Sequence, residues 1–407
     1  MPESLKKNLP SYIVLSLFAL ALFLRTYRVD LMEFKWDEAT AWLTSQLFAG
    51  GYYFPCGGLM SSRRIQNFPL FIYLLGIPAY FSIWPTLAVI CIAVINSLLV
   101  FPLYVATRRL WNTPIACTTV LLYVISPASI FFARKLWAQD LMPAFGIGIF
   151  YLLERLTTTD NPPLRLHLFL LGFLCSTGTQ VHLSVLFLTG ACFFGLAMLP
   201  HKKTNFVWFF ISAGVGSLFS LPWWWWQYQD LTVFWEQMQQ GIPTEKAFHP
   251  LQITQFFLSQ LGDAGFSQSL GEKYSAFLAL NPGYLAFTYM ILLVTLGGGI
   301  FCFWQGLHHW HDQDAKRKTS ICFIFPSVAL GGLLLSRTPV YSHYFSAFYP
   351  YPFLFAGIAL GTLHEHIKKL SSPRRKVSHP CFFLLLTAML FLQLGYVYRF
   401  VDILIRY

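Results

Sequence analysis

Residues 68–84 read FPLFIYLLGIPAYFSIW, and how that stretch is counted decides the topology of the whole chain. It is uncharged and nearly as long as the roughly 20 residues that cross a bilayer as a helix. Counted as a span, it carries Arg108-Arg109 to the far side of the membrane and inverts every later loop. Counted as a helix lying in the interface, its apolar face sunk into the headgroup boundary, it leaves those arginines on the side of the N-terminus.

Charge chooses between the two. With 68–84 in the interface, apolar spans fall at about 9–26, 85–107, 113–132, 137–153, 166–181, 183–199, 205–222, 284–304, 319–336, 346–363 and 380–398. The run 166–199 is too long for one span. Divided in two, it returns Lys202-Lys203 to the side of Lys6-Lys7. The loops on that side then hold 16 of the 28 Lys and Arg and six of the 17 acids, a balance of +10 against +1 on the other face. Lys and Arg concentrate in cytoplasmic loops, so the N-terminus is expected in the cytoplasm and the acid-bearing loops outside.

The expected fold is therefore all-α: a polytopic transmembrane bundle of about 11 spans, read as one domain over 1–407. Hydrophobic residues are 56% and aromatics 18% of the 407 residues, far from a soluble balance. The net charge of +11 follows from topology and contact with anionic lipid, and no nucleic-acid partner is needed to explain it. The first run follows Lys6-Lys7 like a signal peptide but has no small-residue cleavage site, and is read as a retained helix. Seven of the eight cysteines fall in spans, which argues for small apolar residues and against a disulfide framework.

Two outer loops are long, 27–84 and 223–283, whereas the inner loops are short. The segment 38–48 also has an interfacial look, with Trp42, Leu43 and Leu47 on one helical face. Trp223–Trp226 suit the aromatic belt where a helix leaves the bilayer. No acid or base lies deep in a span, which disfavours an ion-driven pump. There is no phosphate-binding GxxxxGK[ST] loop and no HExxH, CxxC or GxSxG. His308, His309 and His311 read as part of a solvated basic loop, and His182 as a turn residue.

What remains is polar chemistry gathered at the outer surface. Asp37 and Glu38 stand together in FKWDEATAW (34–42), and a helix would point them about 100° apart. Asp30, Glu33 and Asp37 share helical spacing, which leaves open a divalent cation held with a donor phosphate. Arg63-Arg64 precede the interfacial segment, and Arg134-Lys135 end the third span. Asp140 is followed by only 13 uncharged residues, about 20 Å of helix, so it belongs near the outer end of its span. Arg337, Tyr341, His343 and Tyr344 cluster in RTPVYSHY. A sugar transferred outside the cell arrives on a membrane-anchored lipid phosphate. Such a reaction needs a carboxylate to take the acceptor's proton and cations for the departing phosphate.

These residues carry a resemblance. WDEA at 36–39 resembles the acidic signature of GT-C superfamily glycosyltransferases of family 39, which includes protein O-mannosyltransferases and aminoarabinose–lipid A transferases. GLMSSRRIQNFPLFIYLLGIPAYF (58–81), SPASIFFARKLWAQDLMPAF (126–145) and HYFSAFYPYPFLFAGIAL (343–360) are similar to later blocks of that group, in the same order. The resemblance implies transfer from a polyprenyl-phosphate sugar to a glycan, lipid or protein acceptor, with inversion, on the outer face of the membrane; with no retrieval signal such as a C-terminal KDEL, a bacterial plasma membrane is the expected location. It implies that Asp37 is the catalytic carboxylate, with Glu38 supporting its geometry or a metal, and that Arg134 meets the lipid phosphate. Arg63, Arg64, Lys135, Asp140, Arg337, His343 and Tyr344 are the further candidates for donor or substrate binding. Arg63-Arg64 depart from the group's pattern, and a long soluble C-terminal part found in some relatives is absent. The rival readings are a lipid-linked saccharide flippase or exporter and a polysaccharide polymerase or ligase.

Overall fold

A computed structural model describes residues 3–31, 33–60, 66–158, 165–198, 202–229, 231, 250–262, 266, 270–336 and 341–406. Among them the chain is helical, and its one backbone bridge joins Met60 to Gln66. In chain order the helices are α1 Glu3–Thr26, α2 Trp36–Ala49, α3 Leu70–Phe81, α4 Thr86–Leu98, α5 Val100–Leu110, α6 Thr113–Ile125, α7 Pro127–Phe131, α8 Met142–Thr158, α9 Arg165–Val181 and α10 Val185–Met198. There follow α11 Lys202–Ser217, α12 Leu221–Gln229, α13 Pro250–Ser259, α14 Tyr274–Leu280, α15 Tyr284–His308, α16 Gln313–Thr319, α17 Phe325–Leu335, α18 Tyr351–Lys369 and α19 Ser372–Arg406.

Six continuous helical stretches among the described residues are long and apolar enough to cross a membrane, and two bent pairs bring the number to eight. The other three expected segments are helices too, but shorter: α8 and α9 have 17 residues and α10 has 14. This is an integral membrane protein built as an all-α bundle.

The stretch that opened the question forms α3, 12 residues long. At 1.5 Å per residue that is about 18 Å, well short of a roughly 30 Å hydrocarbon core. Prolines set its limits, with Pro69 in the capping position and Pro85 ahead of α4. One face is buried through Leu70, Phe71, Ile72 and Leu75, while Ile77, Tyr80 and Phe81 are exposed. Its partner is α2: Ser45 Oγ donates to the Ile72 carbonyl at 3.2 Å, and the Trp42 indole donates to the Ile83 carbonyl at 3.1 Å. Trp42 is thus buried against α3 while Leu43 and Leu47 are exposed, so the single apolar face expected for 38–48 is split. The indole N–H needs an acceptor, and α3 supplies one.

Two bends shape the end of the bundle that carries α2 and α3. Helix α6 turns by 56° into the segment beginning at Pro127, where Ser126 caps the new start. The buried Arg25 guanidinium at the end of α1 braces this corner, donating to the Tyr123 carbonyl at 3.3 Å and to Ser129 Oγ at 3.1 Å. The second bend, 68°, joins the turn Ser342–Phe348 to α18. Close packing holds these elements. A Cβ added at Gly146 of α8 would lie 2.2 Å from the Ala347 carbonyl oxygen, and one at Gly298 of α15 would lie 1.8 Å from that of Phe355. Only glycine admits such approaches.

Helix α8 begins at Met142, later than the expected start at 137. Residues 138–141 form a tight turn because the Asp140 carboxylate accepts the Trp137 N–H at 2.8 Å. Asp140 therefore lies in the turn before the helix.

Candidate active site

Helix α2 begins directly after an extended Lys35, which places Asp37 and Glu38 in its first turn, where the helix dipole favours acids. Their fates differ. Glu38 reaches back and accepts the Lys35 N–H at 3.1 Å, and its side chain is fully buried. Asp37 turns the other way, is exposed, and lines a cavity of about 500 Å³.

Behind that cavity lies a buried charge cluster. The Lys135 side chain is 1% exposed and ion-pairs with Glu33, itself 6% exposed, and with Glu38 at 3.5 Å. Its Nζ lies 3.4 Å from the centre of the Trp137 ring and 5.2 Å from that of Phe131. Lys35 pairs with Glu33 from the solvent side. Burial pushes the Glu33 carboxyl up, but the ammonium of Lys135, with help from Lys35, outweighs it and holds the group below the usual carboxylate range.

Five separate segments supply the polar and aromatic part of the cavity wall. Asp37 comes from α2, Asn67 and Phe68 from the approach to α3, Trp137 and Gln139 from the turn after α7, His182 from the α9–α10 corner, and Tyr341, His343 and Tyr344 from the turn before α18. Rings line one side: His343 lies 5.1 Å from Trp137, 5.5 Å from Tyr341 and 4.9 Å from Tyr344, and His182 lies 5.1 Å from Tyr344. Ser184 contacts His182 Nδ1 twice, its N–H donating at 3.2 Å with its hydroxyl at 2.9 Å. The other ring nitrogen, Nε2, lies 3.2 Å from the Gln139 amide nitrogen. Burial pushes the His182 imidazole down to about 4, so it is neutral at physiological pH. The rest of the lining is largely apolar, with Leu183, Leu186, Phe187 and Leu333 where α10 meets α17.

Of the residues picked out from the sequence, Asp37, His343 and Tyr344 meet at this cavity. Glu38 and Lys135 lie behind its wall, and Asp140 is buried beneath the Trp137 turn, its carbonyl held by Asn96 at 2.9 Å. Arg134 faces elsewhere: it donates to the Arg28 carbonyl at 2.7 Å and lines a separate small cavity with Leu31 and Phe266. Arg63, Arg64 and Arg337 lie outside the described residues, though Met60, Asn67, Ser336 and Tyr341 on either side of them line the cavity. The shared spacing of Asp30, Glu33 and Asp37 does not produce a shared site. The helix over that stretch is interrupted between Leu31 and Trp36; Asp30 pairs with Arg28 at 3.0 Å and Glu33 with the two lysines. No cluster of three metal-ligating side chains occurs among the described residues. Sequence reasoning passed over Trp137, Gln139 and Asn67; His182, read as a turn residue, does lie in the turn between α9 and α10, and its place in the cavity wall is what the sequence did not signal.

No protein-family model and no curated protein matches the chain. Solved structures do. Archaeal oligosaccharyltransferase AglB from Archaeoglobus fulgidus, in complex with an inhibitory peptide and a dolichol-phosphate, aligns with 98% of this chain at TM-score 0.56 and 12% identity. The A. fulgidus oligosaccharyltransferase in complex with Zn and sulfate aligns with 96% at 0.55 and 11%. ArnT from Cupriavidus metallidurans, bound to undecaprenyl phosphate, aligns with 98% at 0.54 and 12%. The chain shares its helical fold with these three structures. The chain spans 56% and 53% of the two oligosaccharyltransferase chains and 74% of ArnT. Identities this low carry the fold and leave the chemistry to the site.

Proposed function

We propose that this protein is a membrane glycosyltransferase, a single domain that moves a sugar from a polyprenyl-phosphate donor to an acceptor hydroxyl on the exoplasmic side, with inversion. The observation that carries the proposal is the asymmetry of the acidic pair: Glu38 is buried and engaged, while Asp37 opens onto a cavity with one polar, ring-lined wall and one apolar wall. An acceptor hydroxyl loses its proton to Asp37 as its oxygen attacks the anomeric carbon. The bond to the phosphate oxygen breaks, and polyprenyl phosphate departs. A single displacement inverts the anomeric centre, and one base suffices for it.

The apolar wall between α10 and α17 suits the start of an isoprenoid chain. Arg63, Arg64 and Arg337 flank the cavity in sequence and are the cations assigned to the phosphate. Dolichol-phosphate and undecaprenyl phosphate in the similar structures support a lipid-linked donor here. The acceptor is a glycan, lipid or protein, the membrane is taken as a bacterial plasma membrane, and the charge balance supports an N-terminus in the cytoplasm. A divalent cation enters only as an addition, held by Asp37 and the donor phosphate. Transfer that survives chelation by EDTA removes it.

The test is release of polyprenyl phosphate from a labelled lipid-linked sugar by purified protein, with glycan, lipid and peptide acceptors supplied in turn. The wild type is expected to turn over and Asp37→Asn to be inactive. Absence of release with every acceptor, with lipid-sugar instead crossing vesicle membranes, would establish the flippase.

A further inference from the structure

The sequence alone casts Lys135 as a phosphate or substrate ligand, a cation just outside a span. The geometry points to a different role: we infer that Lys135 is a positioning residue, which through Glu33 and Glu38 fixes the first turn of α2, and with it Asp37, against the Trp137 wall of the cavity. This inference rests on the proposed transferase reaction and deepens it.

The first observation is that the ammonium is surrounded. Two carboxylates, the face of Trp137 and the ring of Phe131 enclose a side chain that is 1% exposed. Lys135 does not line the cavity that Asp37 and Trp137 both face; the cavity it does line, with Glu33 and Arg134, is about 20 Å³, room for a single water and too small for a phosphate. A donor phosphate would have to displace a buried carboxylate to reach it, leaving that acid without its counter-ion in a dry site.

The second observation is what the cluster connects. Glu38 holds Lys135 with one carboxylate oxygen, and with the other accepts the Lys35 N–H at the start of α2. Asp37 is the adjacent residue in that turn, so its direction is set by how Glu38 is held. The Trp137 ring is seated on the same ammonium, and the Trp137 backbone N–H donates to the Asp140 carboxylate at 2.8 Å. One charge therefore ties together two walls that come from segments a hundred residues apart. Glu33 joins through the extended residues that precede α2. Removal of the ammonium frees the α2 turn and the ring together, and loss of about 1 Å in the placement of a base costs on the order of a hundredfold in rate.

The experiment uses the full chain in detergent or nanodiscs, with the conservative variant Lys135→Arg. The longer, planar guanidinium keeps the charge but cannot sit in the same space. The positioning role predicts kcat lower by on the order of 10²-fold and KM for the lipid donor within about threefold of wild type, in assays run below the unfolding midpoint of each protein. Glu38→Gln is expected to act the same way, and the two losses are expected not to multiply in the double variant. A tenfold or greater rise in donor KM with kcat retained would make Lys135 a phosphate ligand and overturn the inference, as would unchanged kcat and KM. Binding of polyprenyl phosphate to wild type and Lys135→Arg is measured in parallel and needs no turnover. Equal affinity supports positioning, and a tenfold loss overturns it even if the transferase assignment fails. Should Lys135→Arg not fold, the neutral set Glu33→Gln/Lys135→Met/Glu38→Gln is read by the same criteria.

Discussion

Substitutions at neighbouring positions of α2 should separate chemistry from architecture. Asp37→Asn keeps the shape of a side chain that is exposed at the cavity. Its structural cost is the loss of an acid in a first helical turn, about 0.3–1 kcal/mol. Its chemical cost is the base, worth about 10²- to 10⁴-fold in rate, or roughly 2.7–5.5 kcal/mol of barrier. Glu38→Ala reverses the order. It strips the acceptor from the Lys35 N–H and one carboxylate from Lys135. The lost cap costs about 1 kcal/mol and the weakened buried cluster a further 1–3 kcal/mol. Donor release and the unfolding midpoint are measured on the same detergent preparations. Asp37→Asn should fold like wild type with turnover reduced by two orders of magnitude or more, whereas Glu38→Ala should unfold several degrees earlier. Full turnover in Asp37→Asn refutes the base assignment, and an undisturbed midpoint in Glu38→Ala refutes the buried role of its neighbour.

Adjacent glycines of α15 offer an internal control on packing. Gly298→Ala forces a methyl group against the Phe355 carbonyl and should cost about 1–3 kcal/mol or more, while Gly297→Ala meets nothing within 4 Å and should be neutral or slightly stabilising. Both are read from thermal unfolding. His182 has a folded-state value near 4 against an ordinary 6.5. The unfolded chain therefore takes up the proton first, and the contribution of the neutral ring is whole above pH 6.5 and fades as pH falls toward 4. His182→Gln should lack that part of the acid sensitivity, on the order of 3 kcal/mol at full protonation; identical pH–stability curves for the two proteins would contradict it.

The architecture was legible in the sequence because the bilayer leaves few options. Backbone groups in hydrocarbon must be satisfied within a helix, so apolar length and the placement of Lys and Arg carry most of the information. A helix occurs at each of the eleven expected segments. The 12-residue α3 was legible for the same reason, since counting it as a span conflicts with the charges. Boundaries were less so: the late start of α8 depends on one Asp140 hydrogen bond that periodicity does not reveal.

The candidate site was legible only where it carries a charge. Asp37 could be found because a carboxylate is costly beside a membrane and so invites an explanation, but the same logic also drew attention to Arg134, Lys135 and Asp140. Which of these charges faces a cavity and which faces a counter-ion depends on the 56° bend after α6. That bend is fixed by Pro127, Ser126 and the distant Arg25. By contrast, Asn67, Trp137, Gln139 and His182 are neutral and individually unremarkable among so many apolar and aromatic residues. They become a wall only when five segments converge, each held by contacts remote in sequence: the Ser346 hydroxyl on the Gln139 carbonyl at 2.9 Å, and the Ala347 carbonyl against Gly146. A charge beside a membrane thus reveals itself through its own desolvation cost, whereas a neutral binding wall does so only through its neighbours. For that reason the charged residues are better candidates for being somewhere constrained than for touching substrate, and Lys135, enclosed by two acids and two rings, is the case that makes the difference measurable.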